Sequence, residues 1–316
     1  MPIVTAPLSH SEKNLPLAGV TAALLIPRDH SANINWPAFE HQIRFLRARG
    51  IKGFAINGAT GEYTLTTPAD LRCLLRKTRQ IAGQECTIVA GVGAASVSRC
   101  NELCDVAVQE GADGVLLPMP YFFPYGQDDL AAFVHAVASE IEMPVYLYNL
   151  PSFTTPLEPA TTLELIEQNP SVIGIKDSSG SLDTLSLLKA KAPTAGRILG
   201  NDSALHAALA ADVCDGVVSG VACVLPELML QLYQECSTNP QSSIALALKA
   251  TLEEFITWLD RFPVPWGLKI IAEARGLDKA TFPLPLSAEK EQHRKDFTAW
   301  FETQRDLQDI ALGSIG

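Results

Sequence analysis

Short apolar runs alternate with amphipathic stretches along the chain from Gly19 onward. The apolar runs have the length and the β-branched content of strands, whereas the stretches between them repeat apolar residues at helical spacing. Eight runs are predicted to be strands: residues 19–27, 53–58, 86–92, 114–120, 144–151, 172–177, 197–202 and 216–221. This β–α alternation is typical of a parallel sheet covered by helices. Eight units favour an α/β fold of the (β/α)8 TIM barrel type over an open doubly wound sheet.

The helices between the strands have recognisable ends. The segments 67–83, 96–112, 128–141 and 157–170 begin near Ser, Thr, Asp or Pro, and most of them end at Gly or Pro. After the eighth strand the pattern changes to helices alone. We therefore expect an N-terminal arm over 1–18, the barrel over 19–225, and the last barrel helix with a helical C-terminal region over 226–316.

Composition narrows the function classes. Apolar residues make up 47% of the 316, and the formal net charge is −11, with no basic stripe to meet phosphates. No strand–helix junction carries a glycine-rich nucleotide fingerprint. Seven scattered cysteines predict reduced thiols in a cytoplasmic protein without a metal site, and no apolar run approaches the length of a membrane span. Nucleic-acid and membrane partners are therefore not expected.

Candidate chemistry lies where the apolar runs stop, because a barrel of this kind works at the C-terminal ends of its strands. The residues at these points are Asn57 to Glu62, Pro120 to Tyr125, Tyr148, Asn149, Lys176, Asp177, Asn201, Asp202, Ser219 and Gly220. We expect them to meet at one mouth of the barrel.

Lys176 ends a strand that otherwise consists of apolar residues and glycine. A lysine in this position either pairs with a carboxylate or is desolvated, and a neutral amine is a nucleophile toward a carbonyl carbon. An ion pair, for example with Glu62, is an open alternative. Asp177 is a poorer partner because successive strand residues point to opposite faces.

Two further features stand near Lys176 in the predicted barrel. Tyr148 ends the preceding strand, where a phenol either transfers protons or only donates a hydrogen bond at the rim. The stretch "NGATGE" has two glycines around Ala59 and Thr60, so its N–H groups can point at one anion. An ordinary strand-to-helix turn is the alternative for that stretch.

The stretches "GATGEYTLTTPAD", "PMPYFFP", "YNLPS" and "GIKDSSG", in this order, resemble the dihydrodipicolinate synthase / N-acetylneuraminate lyase family of Schiff-base aldolases. The resemblance covers residues 19 to 285. It implies a (β/α)8 barrel, usually tetrameric, that needs no metal or organic cofactor. It also implies that Lys176 forms the Schiff base, that Tyr148 moves protons, and that residues 58–62 bind the carboxylate of a 2-oxo acid such as pyruvate. Within that loop, Gly58, Ala59, Thr60 and Gly61 are the predicted carboxylate-binding residues.

Three positions depart from the synthase pattern. Ala59 replaces the first hydroxyl residue of G-T-T-G-E, Phe122 replaces a tyrosine that a neighbouring subunit contributes, and Phe153 replaces an arginine that contacts the substrate carboxylate. Phe122, Phe153, Ser219 and Gly220 are the predicted pocket-lining residues. Loss of these polar groups predicts a second substrate other than that of the synthase, and a site complete within one subunit.

The expected function is therefore a lyase that joins Lys176 to a 2-oxo acid. A pyruvate-dependent aldolase acting on a 2-keto-3-deoxy sugar acid or related 4-hydroxy-2-oxo acid comes first, with pyruvate and an aldehyde as its partners. A dehydratase of the same substrate class comes second and dihydrodipicolinate synthesis third. A non-catalytic sensor of 2-oxo acids on the same fold is the alternative of another class.

Overall fold

The computed structural model describes residues 16–304. Within them, eight parallel strands pair in chain order and close into a barrel. The strands are β1 Gly19–Ala23, β2 Gly53–Ile56, β3 Thr87–Gly91, β4 Gly114–Pro118, β5 Val145–Asn149, β6 Val172–Asp177, β7 Gly196–Leu199 and β8 Gly216–Ser219. The predicted (β/α)8 barrel is confirmed.

Helices follow the strands and then continue beyond β8. They are α1 Trp36–Ala48, α2 Pro68–Ala82, α3 Val97–Gln109, α4 Gln127–Ala138, α5 Pro159–Gln168, α6 Asp183–Lys191, α7 Leu205–Ala210, α8 Pro226–Thr238, α9 Ser243–Leu259, α10 Trp266–Ala274 and α11 Ala288–Thr303. The signals in the sequence set several of these ends. Thr67 and Asp70 form a capping box at the start of α2, and Gly83 follows its last residue with a φ of 86°. The helical C-terminal extension is thus present.

The core has two parts. A large apolar layer lies between the strands and the helices. The second part fills the barrel interior with inward-facing side chains, among them Ala55, Val89, Leu116, Tyr146 and Ile198. Because side chains fill the barrel interior, a cavity can form only at the ends of the barrel.

The strands are shorter than the sequence predicts, chiefly at their C-terminal ends. Seven of the eight predicted strands run past the observed end, and β1 stops at Ala23 rather than at residue 27. Leu24 to Ile26 remain buried although they have left the sheet. An apolar sequence signals burial, and here it cannot distinguish a strand from a buried loop.

The N-terminal arm of the prediction lies outside the described residues over 1–15. Of the remainder, Leu17 is fully buried inside the barrel, where its carbonyl oxygen approaches Gly216 at the start of β8. Within residues 16–304, all seven cysteines are free thiols, and no helix is long and apolar enough to cross a membrane.

Candidate active site

Lys176 and Tyr148 are direct neighbours across the pair of strands β5 and β6. The Lys176 Nζ atom lies 4.0 Å from the centroid of the Tyr148 ring, and both side chains are buried. Register explains the contact, because residues opposite each other in a parallel pair project from the same face. The two candidate catalytic groups therefore share one end of the barrel.

Lys176 has no ion-pair partner within residues 16–304. Glu62 instead pairs with Lys269 of α10, whose Nζ lies 2.6 Å from the Glu62 Oε2 atom. The alternative of an ion pair between Lys176 and Glu62 is wrong. Asp177 accepts hydrogen bonds from the Asn149 side chain and the Ser179 N–H, so it lies on the other face of β6.

Gly200, directly after β7, makes room for the lysine. A Cβ atom on Gly200 would lie 2.8 Å from Lys176 Cε and 2.1 Å from Ser178 Oγ. Both distances are shorter than van der Waals contact, so a larger residue at position 200 would displace the lysine. The sequence marks Gly200 only as the end of an apolar run.

The loop Asn57 to Glu62 is bent by two residues in the left-handed region, Asn57 with φ 63° and Glu62 with φ 52°. Asn57 also holds the loop to β3 by donating from Nδ2 to the Gly91 carbonyl oxygen at 2.8 Å. The N–H groups of Ala59 and Thr60 have no acceptor among the described residues. Free, adjacent N–H groups on a bent loop form a small anion-binding concavity.

The Glu62–Lys269 pair fixes the far side of this loop. Both side chains are at most 10% exposed, and Lys269 Nζ also donates to the Thr281 carbonyl oxygen at 3.1 Å. Removal of one partner from a buried pair of this kind strongly destabilises the folded protein, because the other charge stays buried alone. Lys269 is a site residue that sequence reasoning missed, because it stands 207 positions from Glu62 in an apolar helix.

A cavity of about 310 Å³ opens over Lys176. Its inner wall comes from the strand ends and its outer wall from the C-terminal region. The inner residues are Ala59, Thr60, Tyr148, Leu150, Ser152, Phe153, Lys176, Ser178, Gly200, Asn201, Asp202, Ser203, Val218, Gly220 and Val221, and the outer ones are Ile256, Leu259, Asp260, Phe262, Pro263, Val264, Pro265, Gly267 and Leu268. Sequence reasoning missed the outer wall, since no local signal relates this region to the barrel mouth.

Asp202 contributes a carboxyl group to the cavity. Burial raises its pKa, whereas hydrogen bonds from Ser219 and the Val221 N–H, and the positive charge of Lys176, act in the opposite direction. Its Oδ2 accepts from the Val221 N–H at 3.0 Å, and its Oδ1 has no hydrogen-bond partner within residues 16–304. The cavity thus holds one acid near the lysine without a direct ion pair.

The predicted pocket-lining residues divide into two groups. Phe153 and Gly220 line the Lys176 cavity. Ser219 does not; it is fully buried behind Asp202 and accepts a hydrogen bond from the Ala222 N–H at 2.9 Å. Phe122 lines a neighbouring cavity of about 440 Å³ that shares Ala59, Phe153 and Val264 with the first.

Of the four residues predicted to bind the carboxylate, two line the Lys176 cavity. Ala59 and Thr60 line the Lys176 cavity, whereas Gly58 and Gly61 belong to the loop without lining it. Gly220 lies close to the loop, since a Cβ atom there would stand 3.5 Å from Thr60 Oγ1. Among the described residues, no group of three or more His, Cys, Asp or Glu side chains is placed to hold a metal ion.

The sequence matches the model of the dihydrodipicolinate synthetase family over residues 16–304. The chain belongs to this family, and the predicted membership is confirmed. At the level of a lyase of this family the functional prediction is confirmed as well, whereas the substrate is not identified by the match.

The relatives have the same extent as this chain. An uncharacterised DapA-like lyase of Halobacterium salinarum is 30% identical over 97% of this chain and 98% of its own length. The 4-hydroxy-tetrahydrodipicolinate synthase of Bacillus subtilis is 28% identical over 87% of this chain and 95% of its own. The structure of the 4-hydroxy-tetrahydrodipicolinate synthase from Methylacidiphilum fumariolicum superposes with a TM-score of 0.84 at 26% identity, covering 93% of this chain and 99% of that one.

Proposed function

We propose that this protein is a class I aldolase that forms a Schiff base between Lys176 and the C2 carbonyl of pyruvate or another 2-oxo acid. The observation that carries the proposal is the buried Lys176 amine, which has no ion pair in residues 16–304 and contacts the Tyr148 ring at 4.0 Å. A buried amine next to a phenol, at the mouth of a barrel, has the surroundings of a nucleophile with a proton-transfer partner.

The loop supplies the second part of the proposal. The free N–H groups of Ala59 and Thr60, with the Thr60 hydroxyl, bind the C1 carboxylate of the 2-oxo acid. Binding there holds the neighbouring C2 carbonyl at Lys176, which gives the reaction its orientation. The Glu62–Lys269 pair keeps the loop in place.

The chemistry follows from the imine. The Lys176 nitrogen adds to C2 and water leaves, which gives a protonated imine that withdraws electrons from C3. Tyr148 takes the proton of the C4 hydroxyl, the C3–C4 bond breaks, an aldehyde leaves, and the bonding pair becomes the C2–C3 double bond of an enamine. Protonation at C3 and hydrolysis release pyruvate and restore the lysine.

Cleavage or formation of a 2-keto-3-deoxy sugar acid, or of a related 4-hydroxy-2-oxo acid, is the reaction we favour. Removal of a C3 proton with loss of the C4 hydroxyl would make the protein a dehydratase of the same substrates. Dihydrodipicolinate synthesis ranks third because Ala59, Phe122 and Phe153 lack the polar groups of the synthase pattern. A 2-oxo-acid sensor would bind pyruvate without chemistry.

Borohydride reduction in the presence of pyruvate, followed by peptide mass spectrometry, tests the proposal. We expect a reduced pyruvyl adduct on Lys176 and on no other lysine. Pyruvate binding without an adduct would support the sensor and contradict the aldolase. Incubation with 2-keto-3-deoxy acids then separates the reactions, since an aldolase releases pyruvate and a dehydratase eliminates water.

Assembly and location remain predictions. The tetramer is checked by size-exclusion chromatography with light scattering. A cytoplasmic location is checked by cell fractionation.

A further inference from the structure

Few charged side chains line the Lys176 cavity, and acidic residues outnumber basic ones among them. Among its lining residues within 16–304, the charged side chains are Lys176, Asp202 and Asp260. In the proposed reaction the Lys176 nitrogen becomes the imine, and the C1 carboxylate of the 2-oxo acid lies beside it. Within the described part of the chain, no second cation lines this cavity to meet another negative charge.

Among residues 16–304, Asp260 is the only charged residue of the outer wall of the cavity. Phe262, Val264 and Leu268 of this wall are apolar, and so is Phe153 of the inner wall. The neighbouring cavity adds no available cation, because its one charged lining residue within 16–304 is Glu62, which is already paired with Lys269. A carboxylate placed on this side would face apolar side chains and acids.

Neutral hydrogen-bonding groups are present in the same cavity. Ser152, Ser178 and Asn201 line it near the strand ends, next to the Asp202 carboxyl group. Hydroxyl groups of a substrate can exchange hydrogen bonds with such side chains without bringing in charge. The lining therefore suits a hydroxylated aldehyde better than an aldehyde acid.

We infer that the aldehyde substrate of this protein carries no negative charge, and that Phe153 and Asp260 exclude aldehydes that bear a carboxylate. The inference rests on the proposed function and narrows it to neutral, hydroxylated aldehydes. A carboxylate buried without a cation, against an apolar wall and Asp260, is disfavoured, and we expect a discrimination of about 100-fold or more in kcat/KM.

Glycolaldehyde and glyoxylate form a matched pair of probes, because a CH2OH group in the first is a carboxylate in the second. The full chain is supplied with pyruvate and each aldehyde, and formation of the 4-hydroxy-2-oxo acid is followed by chromatography. We expect kcat/KM to favour glycolaldehyde by about 100-fold. Glyoxylate is the more electrophilic aldehyde, so intrinsic reactivity alone would favour glyoxylate. A preference for glycolaldehyde would therefore come from the cavity.

Variants locate the source of the selectivity. Phe153→Arg places a cation in the cavity and should raise the ratio of glyoxylate to glycolaldehyde turnover by about tenfold or more. Asp260→Arg, at an exposed position after α9, should raise the ratio in the same direction and covers the case in which Phe153→Arg does not fold. Phe123→Arg is the control, because Phe123 is 62% exposed and lines neither cavity.

The outcomes separate the inference from the proposed function. A pyruvyl adduct on Lys176 together with equal use of both aldehydes, or a preference for glyoxylate, overturns the inference and leaves the aldolase intact. An unchanged ratio in both cavity variants also overturns it. Absence of any adduct on Lys176 overturns the proposed function and the inference with it.

Discussion

The two faces of the barrel sheet treat buried charge in opposite ways. Near the start of β7, Arg197 binds Asp215 through two hydrogen bonds, Nε to Oδ2 at 3.1 Å and Nη2 to Oδ1 at 2.6 Å. Near the end of β6, Lys176 is equally buried but has no ion pair within residues 16–304. Arg197 pairs with Ile175 in the register, and Lys176 pairs with Ile198. Because Ile175 packs toward the helices and Ile198 fills the barrel interior, the outer face of the sheet holds the paired charge and the inner face holds the lysine without an ion pair.

Under the proposed function, this contrast separates a buried charge that supports the fold from a buried amine that serves chemistry. A buried charge with its partner and hydrogen bonds contributes to a defined fold, whereas a buried amine without a partner disfavours folding in its charged form. Such a group persists where its reactivity is used. The buried pair on the outer face of the sheet therefore supports structure, and the lysine on the inner face serves the proposed reaction.

The largest expected effect is the loss of turnover when Lys176 is replaced. Lys176→Met should abolish the pyruvyl adduct and reduce turnover on the order of 10⁴-fold or more, because the nucleophile is gone. Its melting temperature should not fall, since the change replaces a buried amine that has no ion pair within residues 16–304 by an apolar side chain of similar length. Turnover assays and thermal unfolding on the same preparation check both halves, and turnover close to that of the unmodified protein would remove Lys176 from the mechanism.

A second change compares two phenols on one strand. Tyr148→Phe should lower turnover by about 10² to 10⁴-fold while some pyruvyl adduct still forms, because proton transfer is lost and the amine remains. Tyr146→Phe is the matched control, since Tyr146 is a buried tyrosine two residues earlier in β5 that does not line the cavity. Equal losses in the two variants would show that Tyr148 acts through packing alone.

Breaking the buried Arg197–Asp215 pair is expected to lower the stability of the protein. Arg197→Met leaves Asp215 buried without its guanidinium and should lower the free energy of unfolding by about 3–5 kcal/mol. Lys189→Met breaks a pair with Asp212 whose side chains are 41% and 57% exposed, and should cost at most about 1 kcal/mol. Urea unfolding of both variants checks the difference, and equal costs would contradict the contrast between buried and exposed pairs.

The smallest expected effect concerns Asp202. Because burial raises its pKa above the ordinary value of 3.8, the folded protein holds this proton more tightly than the unfolded chain does. The stability contributed by that proton is complete below the ordinary value and is lost as the pH rises through the folded pKa. Asp202→Asn should therefore stabilise the protein more near neutral pH than at pH 3.8, as urea unfolding at the two pH values would show.

The sequence predicts much of the barrel and the main chemical groups, because these depend on local pattern. Lys176 and Tyr148 are singled out by their position at the ends of apolar runs, and the pairing of β5 with β6 brings them together, while their catalytic roles are proposals. The ends of the strands are predicted less well, since Leu24 to Ile26 are as apolar in a buried loop as they would be in a strand.

The residues that sequence reasoning missed depend on contacts between distant parts of the chain. Lys269 lies in an apolar helix, and nothing near it in the sequence indicates that Glu62 is its partner. The Glu62 carboxylate therefore remained an open candidate for Lys176. The direction of Ser219, which turns behind Asp202 rather than into the cavity, also depends on packing that periodicity does not encode.

The Glu62–Lys269 contact also affects the order in which the parts of the site are completed during synthesis of the chain. All eight strands have been synthesised by Ser219, but Lys269, the partner of Glu62, is made fifty residues later, in α10. The strands can thus be complete while Glu62 still lacks its counter-charge. Lys176 is made before the loop of residues 57–62 is secured, and the C-terminal helices complete the outer wall of the cavity last.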